Sequence, residues 1–382
     1  MTAPIVAVIG GGQLARMMAG PATELGVTLR VLVESADAAA AASAHEAVVG
    51  MPSDADAVSR LLEGADVVTW EHEHIPAEVF AAAAARGVPA LPSAAALAHA
   101  QDKIVMRAAM DRLGLPNPAW APAASHEVIE EFLHAHGGVA VLKTAQGGYD
   151  GKGVRIIRSA AEADDWLAAA AAGGPPLLIE EKVPFTRELS AQVARRPSGE
   201  VVAYAVVDSL QRDGVCAEVI APAPELSVQL SEQATALAVT IATQLDVVGM
   251  LAVELFQVGD AVVINELAMR PHNSGHWSMD GAVTSQFEQH LRAVLNVPLG
   301  ATAVTAPWTV MVNVLGGERT ELTGALAEVP HADVKIHLYG KDVRPGRKVG
   351  HVNVRGADLE SALSRARETA DIVRDLTNTG DV

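Results

Sequence analysis

The N-terminal part of the chain alternates short apolar runs with amphipathic segments. Strand-length runs rich in β-branched residues occupy residues 5–9, 28–33, 47–49 and 66–69. Segments with helical periodicity occupy residues 13–18, 55–62 and 77–86. Because parallel strands need crossover connections, this alternation predicts a parallel sheet. The alanine runs at 38–42, 81–85 and 168–172 are also predicted to be helical, since alanine is the strongest helix former.

The pattern changes near Leu91-Pro92-Ser93. Helices are predicted over residues 94–113, and the prolines at 116, 118 and 122 indicate a linker. Strands are then predicted at residues 139–143, 154–157, 177–181, 188–195, 201–207, 249–257, 261–267, 310–315, 331–338 and 350–355. Helices are predicted at 160–172, at 231–245 and after Asp358. The fold class is therefore mixed, α/β followed by α+β, and a length of 382 residues suits two or three domains.

Composition restricts the classes of partner. The formal charge is −18, from 28 basic and 46 acidic side chains, which argues against nucleic acid or an anionic membrane as a partner. The single cysteine, Cys216, excludes an intramolecular disulfide framework and fits a reducing compartment. We expect a cytoplasmic protein, because the start of the chain carries no signal-peptide pattern and no apolar stretch reaches membrane-spanning length.

The first glycine-rich segment matches the dinucleotide-binding fingerprint Gly-x-Gly-x-x-Ala. Gly10, Gly12 and Ala15 fill its three positions, and Glu34 ends the next predicted strand, where such a site places a ribose-binding carboxylate. The pattern itself indicates only a close backbone approach at a helix N-terminus, which favours an anion such as phosphate. A nicotinamide or flavin site therefore remains one alternative, among the many unrelated domains that share this turn.

The second glycine-rich segment lies between two predicted strands and is more informative. Residues 143–153 read Lys-Thr-Ala-Gln-Gly-Gly-Tyr-Asp-Gly-Lys-Gly, and Lys143 ends an apolar strand, where a solvated lysine is unusual. A strand-to-strand glycine loop can fold over a triphosphate, whereas a Walker loop needs a following helix. We interpret the segment as a phosphate-binding loop; the alternative is a glycine-rich hairpin with solvated lysines.

Glu254 and Glu266 each lie inside an apolar strand, and a turn at Gly259-Asp260 separates the two strands. A carboxylate in a buried strand is costly unless it is paired or bound to metal. A three-residue loop would place the two glutamates opposite each other, about 4.5–5.5 Å apart at Cβ, whereas a two-residue loop would place them on opposite faces. We expect the facing arrangement, with bridging Mg²⁺ relieving the repulsion; the alternative is a pair of salt-bridged glutamates.

Two further segments are rich in hydrogen-bond donors. Residues 270–277, Arg-Pro-His-Asn-Ser-Gly-His-Trp, follow the second glutamate strand and suit a phosphate or carboxylate, with His272 available for proton transfer. Lys341, Arg344, Arg347 and Lys348 form a basic cluster that is unusual in so acidic a chain. This cluster is a candidate phosphate clamp or, alternatively, a solvated basic hairpin.

Together these motifs resemble the ATP-grasp superfamily and, within it, the N5-carboxyaminoimidazole ribonucleotide synthetases. The superfamily resemblance rests on the glycine loop and the two glutamates, and the narrower one on residues 147–153 together with residues 270–277. It implies an ATP-grasp fold with a Rossmann-like parallel-sheet domain at 1–92, a two-part ATP-grasp domain at 93–300 and a small β-rich domain at 301–382. It also implies ATP- and bicarbonate-dependent carboxylation of 5-aminoimidazole ribonucleotide through carboxyphosphate, in purine biosynthesis.

The resemblance also assigns site residues. ATP would be held by Lys103, Lys143, Gly147, Gly148, Tyr149, Asp150, Gly151, Lys152, Gly153, Glu180, Glu181, Lys182, Val183, Glu188, Asn265 and Glu266. Two Mg²⁺ ions would bind Glu254 and Glu266. The ribonucleotide would contact Gly12, Gln13, Leu14, Arg270, His272, Asn273, Ser274, Lys341, Arg347 and Lys348. Catalysis would involve Glu73, Tyr149, Asp150, Lys152, His272 and Lys341.

The sequence departs from the family pattern at two positions, and other functions remain alternatives. Ala15 stands where the family usually has Gly, and His72 where it usually has Asn. The partners implied are ATP, bicarbonate and 5-aminoimidazole ribonucleotide, with a homodimer and with neither nucleic acid nor membrane. The alternatives are another ATP-grasp ligase, such as formate-dependent glycinamide ribonucleotide transformylase or a biotin carboxylase relative, a nicotinamide-dependent oxidoreductase, and a non-catalytic nucleotide sensor.

Overall fold

The computed structural model describes residues 3–148, 153–212 and 214–374. The strands are β1 (Ile5–Ile9), β2 (Thr28–Val33), β3 (Glu46–Val49), β4 (Val67–Trp70), β5 (Trp120–Pro122), β6 (Ala140–Thr144), β7 (Val154–Ile157), β8 (Leu177–Glu181), β9 (Arg187–Arg195), β10 (Val201–Ala203), β11 (Val207–Arg212), β12 (Val215–Ala221), β13 (Gly249–Val258), β14 (Ala261–Ala268), β15 (Trp308–Leu315), β16 (Val334–Leu338) and β17 (Lys348–Gly356). The helices are α1 (Gln13–Glu24), α2 (Ala55–Leu62), α3 (Ala77–Ala85), α4 (Ala94–Gln101), α5 (Lys103–Arg112), α6 (His126–Ala135), α7 (Asp164–Ala171), α8 (Val228–Gln244), α9 (Ser278–Gly281), α10 (Gln286–Val294) and α11 (Leu359–Arg374).

The N-terminal sheet has the order β3-β2-β1-β4 and is parallel throughout, which confirms the predicted parallel sheet. Its central strands bury continuous apolar runs, as strands covered on both faces do. The predicted helix at 38–42 is wrong, because this segment forms turns. The Ala40 N–H donates to the Gly11 carbonyl at 2.9 Å, so the segment is bound to the first glycine turn and does not propagate a helix.

A second, small sheet has the order β5-β8-β6-β7 with antiparallel pairing. Its outer strand β5 lies in the stretch predicted to be a linker, and Pro122 is tolerated there because an edge strand need not donate to a ladder. Strands β6 and β7 flank the second glycine-rich segment, so the predicted strand, loop, strand order is confirmed on both sides of it.

The third sheet has nine strands in the order β14-β13-β9-β11-β12-β15-β17-β16, with β10 paired to β9. The strand predicted at 201–207 is divided into β10 and β11, and β12 was not predicted. Strand β15 pairs with β12, so the sheet continues across the boundary expected at residue 300. Hydrophobic clusters lie beneath each sheet, and α11 covers β15 and β17. Within the described ranges, no helix combines the length and apolarity needed to cross a membrane.

Candidate active site

A large cavity of about 1460 Å³ opens between the three sheets. Many of the residues singled out from the sequence line its walls: Gln13, Leu14, Glu73, Lys103, Lys143, Gly147, Gly148, Glu180, Glu181, Lys182, Val183, Glu188, Glu254, Asn265, Glu266, Arg270, His272, Asn273 and Lys348. Others are described but do not line it: Gly12, Gly153, Ser274, Lys341 and Arg347. Tyr149, Asp150, Gly151 and Lys152 lie outside the described residues.

At one end of the cavity a buried carboxylate is held between two cations. Glu180 on β8 is 3% exposed and pairs with Lys143 Nζ at 2.6 Å and with Arg107 Nε at 2.7 Å. Burial alone would raise the pKa of Glu180, but the charges of Lys143 and Arg107 together lower it below its ordinary value. Lys143 is therefore not a solvated lysine, because β6 delivers it to a buried ion pair on the cavity wall.

The two strand glutamates lie opposite each other on β13 and β14, as expected, although the reasoning about the loop was wrong. The turn contains only Gly259 and Asp260, which would set Glu266 on the other face. A β-bulge between Glu254 and Leu255 in the register restores the pairing of Glu254 with Glu266, because Asn265 is the extra residue on β14. The bulge also lets the consecutive residues Asn265 and Glu266 both reach the cavity.

The environment of this carboxylate pair is electrostatically unfavourable for two negative charges. Burial, followed by repulsion from Glu266 and Glu188, raises the pKa of Glu254 to about 8. Burial and the charge of Asp208 raise the pKa of Glu188 to about 7. One compensating cation is Lys103, whose Nζ lies 2.9 Å from Glu266 Oε1. The charges of Lys348 and Arg270 oppose this rise in the pKa of Glu254 without cancelling it.

The donor-rich loop after β14 reaches the cavity from the same side. Arg270 pairs with Glu73 at 2.8 Å, and His272 Nε2 lies 3.6 Å from Glu254 Oε1. His272 Nδ1 is 2.8 Å from the Ser274 hydroxyl, which is itself bonded to the Ser190 hydroxyl at 2.8 Å. Burial and then the charge of Arg270 lower the pKa of His272 well below its ordinary value, so the ring is neutral.

The first glycine turn is closed by a carboxylate of the chain itself. Glu71, which follows β4, accepts hydrogen bonds from the backbone N–H groups of Gly12 and of Ala15, the latter at 3.1 Å. A Cβ on Gly12 would lie 2.7 Å from Glu71 Oε1, so the glycine is needed for this approach. The carboxylate thus occupies the N-terminus of α1, where a dinucleotide would place its pyrophosphate.

The basic cluster divides between the cavity and its surroundings. Lys348 opens β17 and lines the cavity. The Lys341 ammonium donates to the Gln13 side chain, which brings the C-terminal segment against the first glycine turn. Arg347 donates to the Asp342 carbonyl at 3.1 Å, and Arg344 is exposed 3.9 Å from the Asp342 carboxylate.

Two groups important to this site were missed in the sequence. Arg107 is a charged residue four positions after Lys103 on a helix face that buries Met106 and Met110, which is a sign of a buried ion pair. The corresponding sign for Glu71 is its position directly after the buried strand β4.

Family models divide the chain into three matching parts. The ribonucleotide synthetase preATP-grasp domain matches residues 3–101, the ATP-grasp domain residues 108–287, and the phosphoribosylaminoimidazole carboxylase C-terminal domain residues 309–365. Combined with a cavity that joins a lysine-bearing glycine loop to a pair of facing glutamates, these matches define an ATP-grasp enzyme.

Individual relatives show which family of ATP-grasp enzymes the chain resembles. The N5-carboxyaminoimidazole ribonucleotide synthase of Mycobacterium tuberculosis is 49% identical over 96% of this chain and 87% of its own length. The synthetase from Thermus thermophilus superposes with a TM-score of 0.85 at 39% identity, covering 99% of both chains. The Aspergillus clavatus synthase, solved with ADP and 5-aminoimidazole ribonucleotide, superposes with a TM-score of 0.87 at 28% identity, covering 98% of this chain and 99% of its own.

The chain belongs to the family of N5-carboxyaminoimidazole ribonucleotide synthases. It is an ATP-binding ligase with the ATP-grasp fold, and the predicted family and fold class are confirmed. Neither a nicotinamide-dependent oxidoreductase nor a different ATP-grasp ligase is favoured by these similarities.

Proposed function

We propose that this chain carboxylates 5-aminoimidazole ribonucleotide to N5-carboxyaminoimidazole ribonucleotide in purine biosynthesis. A bicarbonate oxygen attacks the γ-phosphorus of ATP and releases ADP, which yields carboxyphosphate. The exocyclic amine then attacks the carboxyl carbon, phosphate leaves, and the amine loses a proton. The observation that carries this proposal is the cavity that joins the Lys143–Glu180 pair, the facing glutamates and the donor-rich loop.

ATP is proposed to lie against β6, β8 and the second glycine loop. Lys103, Lys143, Glu188 and residues 147–153 and 180–183 would contact it, including the four positions outside the described residues. Support comes from the chemistry of the walls: apolar side chains for a base are present at Val141, Ile156 and Phe256, and the Lys143 ammonium is available for phosphate. Phosphoryl transfer requires mainly positioning and charge neutralisation, which such a site provides.

Mg²⁺ is proposed to bind Glu254 and Glu266, with Asn265 beside them, and we expect two ions. The donor set fits, because carboxylate and amide oxygens suit Mg²⁺, and a cation would favour the ionised form of Glu254, whose pKa burial, followed by repulsion from Glu266 and Glu188, raises to about 8. Within residues 3–148, 153–212 and 214–374, no group of three or more acidic, His or Cys side chains could hold a metal alone. When bound, the metal would neutralise phosphate charge.

The ribonucleotide is proposed to lie between the first glycine turn and the donor-rich loop. Its contacts would be Gly12, Gln13, Leu14, Arg270, His272, Asn273, Ser274, Lys341, Arg347 and Lys348. Lys348 and the Gln13–Lys341 contact support a phosphate position at this wall. Ser274, whose hydroxyl lies 2.8 Å from His272 Nδ1, would also orient that ring.

His272 is proposed to take part in proton transfer. Its ring is neutral, and Nδ1 accepts a hydrogen bond from the Ser274 backbone N–H at 3.4 Å, so the ring proton lies on Nε2, which faces Glu254. Glu73 would act on bicarbonate from its ion pair with Arg270. Tyr149, Asp150, Lys152 and Lys341 complete the proposed catalytic set on family resemblance.

The organisation into domains 1–92, 93–300 and 301–382, a homodimeric state and a cytoplasmic location are further proposals. A cluster of buried residues within 310–373 supports the C-terminal unit, and another within 123–179 supports a two-part ATP-grasp domain. The dimer and the compartment rest on family resemblance, and the single cysteine fits a reducing compartment.

The test is ADP release by the purified protein with Mg²⁺-ATP and bicarbonate, with and without 5-aminoimidazole ribonucleotide. We expect release that requires the ribonucleotide and consumes one ATP per carboxylated product. Release that is indifferent to the ribonucleotide would contradict the proposed acceptor while leaving ATP binding intact.

A further inference from the structure

Arg107 is a buried cation that contacts both ends of the nucleotide site, although it does not line the cavity. Its side chain is 0% exposed in the middle of α5. Nε donates to Glu180 Oε1 at 2.7 Å, and Nη1 donates to Asn117 Oδ1 and to the Ile264 carbonyl, both at 2.9 Å. Nη2 donates to the Asn265 carbonyl at 2.8 Å. All three guanidinium nitrogens are therefore engaged.

These bonds reach the two ends of the cavity at once. Glu180 is the residue that also pairs with Lys143, the proposed phosphate lysine. The Ile264 and Asn265 carbonyls belong to the β-bulge that turns Glu266 towards Glu254. A bulge disrupts the ladder locally and leaves backbone groups in need of other partners, which the guanidinium supplies here.

Helix α5 makes a second contact with β14, the strand that carries Glu266. Lys103, one helical turn before Arg107, reaches Glu266 directly at 2.9 Å. The N-terminus of α5 also contacts the glycine-loop segment, because Lys103 N–H donates to the Ala145 carbonyl at 2.9 Å and Gln146 donates to Asp102 at 2.8 Å. Helix α5 thus joins the loop, β8 and β14.

We propose that Arg107 is a positioning residue that fixes the Glu254–Glu266 pair relative to Lys143. It would thereby set the distance between a metal bound by the glutamates and the phosphates bound by Lys143. This role rests on the proposed Mg²⁺-ATP site. The planar guanidinium fork is essential to it, because a lysine at this position keeps the charge beside Glu180 but cannot also hold two carbonyls in fixed directions.

The test compares Arg107→Lys with Arg112→Lys, an exposed position in the last turn of the same helix. Mn²⁺ binding to the protein–ADP complex is measured by electron paramagnetic resonance, and metal-free ADP binding by calorimetry. We expect Mn²⁺ affinity to fall by about 10- to 100-fold in Arg107→Lys, as for other outer-shell partners of metal ligands. Metal-free ADP affinity should stay within about threefold, since the lysine retains the charge beside Glu180, and Arg112→Lys should match the wild type in both assays.

A second variant separates positioning from folding. Asn117→Ala removes one guanidinium partner without removing a charge, and we expect a loss of Mn²⁺ affinity of about threefold, with the thermal midpoint recorded alongside. The proposal is overturned if both variants bind Mn²⁺ as the wild type does. It is also overturned if Mn²⁺ and metal-free ADP affinities fall by the same factor, as a general loss of structure would cause. A wild type that binds ADP but no Mn²⁺ would overturn the metal site itself, and this role with it.

Discussion

The two ends of the cavity hold glutamates in opposite electrostatic environments, Glu180 buried and Glu254 half-buried. Glu180 lies between Lys143 and Arg107, at 2.6 and 2.7 Å, and its pKa is lowered despite burial. Glu254 faces Glu266 and Glu188, and its pKa is raised to about 8. The same side chain, in one cavity, is therefore charge-compensated at one end and surrounded by like charge at the other.

This difference separates a carboxylate whose charge the protein itself compensates from carboxylates that need a bound cation. A buried carboxylate with two cations needs nothing further, and removing it leaves those cations unpaired. A carboxylate beside two others is destabilising until a cation arrives, which is the condition of a metal site before its metal binds. We therefore expect substitutions at the two ends to act on different observables.

The largest effect is expected for Glu254→Gln. Turnover should fall by about a thousandfold, because metal-ion stabilisation of phosphate charge is worth several kcal/mol. At neutral pH the metal-free variant should be about as stable as the wild type, since Glu254, with a pKa of about 8, is already largely uncharged there. Steady-state kinetics and thermal unfolding without Mg²⁺ measure the two quantities. A variant that loses stability along with activity would contradict the assignment of Glu254 to a cation site.

The reverse is expected for Glu180→Gln, where stability is the main loss. Leaving Lys143 and Arg107 without their shared carboxylate should cost about 3–5 kcal/mol in the free energy of unfolding. Urea denaturation measures this, with the exposed Glu63→Gln as a control that should change by less than about 0.5 kcal/mol. Equal stability of the two variants would show that Glu180 is not charge-compensated as described.

An intermediate effect on turnover is expected for His272→Asn, since His272 lies beside Glu254. Loss of this proton-transfer group should lower ribonucleotide-dependent turnover by about a hundredfold. The pKa of His272 is held well below 6.5 by burial and by Arg270, so the wild-type pH profile should show no inflection from this ring near neutrality. His134→Asn, on the exposed face of α6, serves as the control. An unchanged rate in His272→Asn would remove this residue from the mechanism.

The smallest effect is a dependence of stability on pH. Folded Glu254 keeps its proton up to about pH 8, whereas the unfolded chain loses it near 4.5, so the unfolded state binds fewer protons between these values. The contribution of this group to stability is therefore present at low pH and lost as pH rises to about 8. The thermal midpoint of the metal-free wild type should fall as pH rises across this range. It should fall less steeply in Glu254→Gln and in the wild type with Mg²⁺-ADP. Parallel slopes in all three samples would contradict the raised pKa.

Much of the fold could be predicted from the periodicity of hydrophobic residues and from turn residues. Strands β1 and β2, the glycine turn and helix α1 were predicted because apolar runs and glycines act locally. The facing of Glu254 and Glu266 was predicted for a reason that the structure does not support, since it depends on a bulge at Asn265, where two consecutive polar residues interrupt the alternation of apolar and polar residues. A register shift depends on what packs behind the strand, here the guanidinium of Arg107.

Long-range polar contacts could not be predicted from local patterns. Arg107 and Glu180 are separated by 73 residues, and Gln13 and Lys341 by 328. The alanine run at 38–42 failed for a related reason, because its contact with the Gly11 carbonyl outweighs its helix propensity. The chemistry of each residue type could be predicted from the sequence, but the identity of its partner could not.

The most direct test of the contrast between the two ends is a crystal structure with ADP and Mn²⁺, read through the anomalous signal of the metal. We expect the manganese peak between the Glu254 and Glu266 carboxylates, with the ADP phosphates towards Lys143 and with no peak at Glu180. Bound ADP with a metal peak at Glu180, or with no metal at the facing glutamates, would contradict the account.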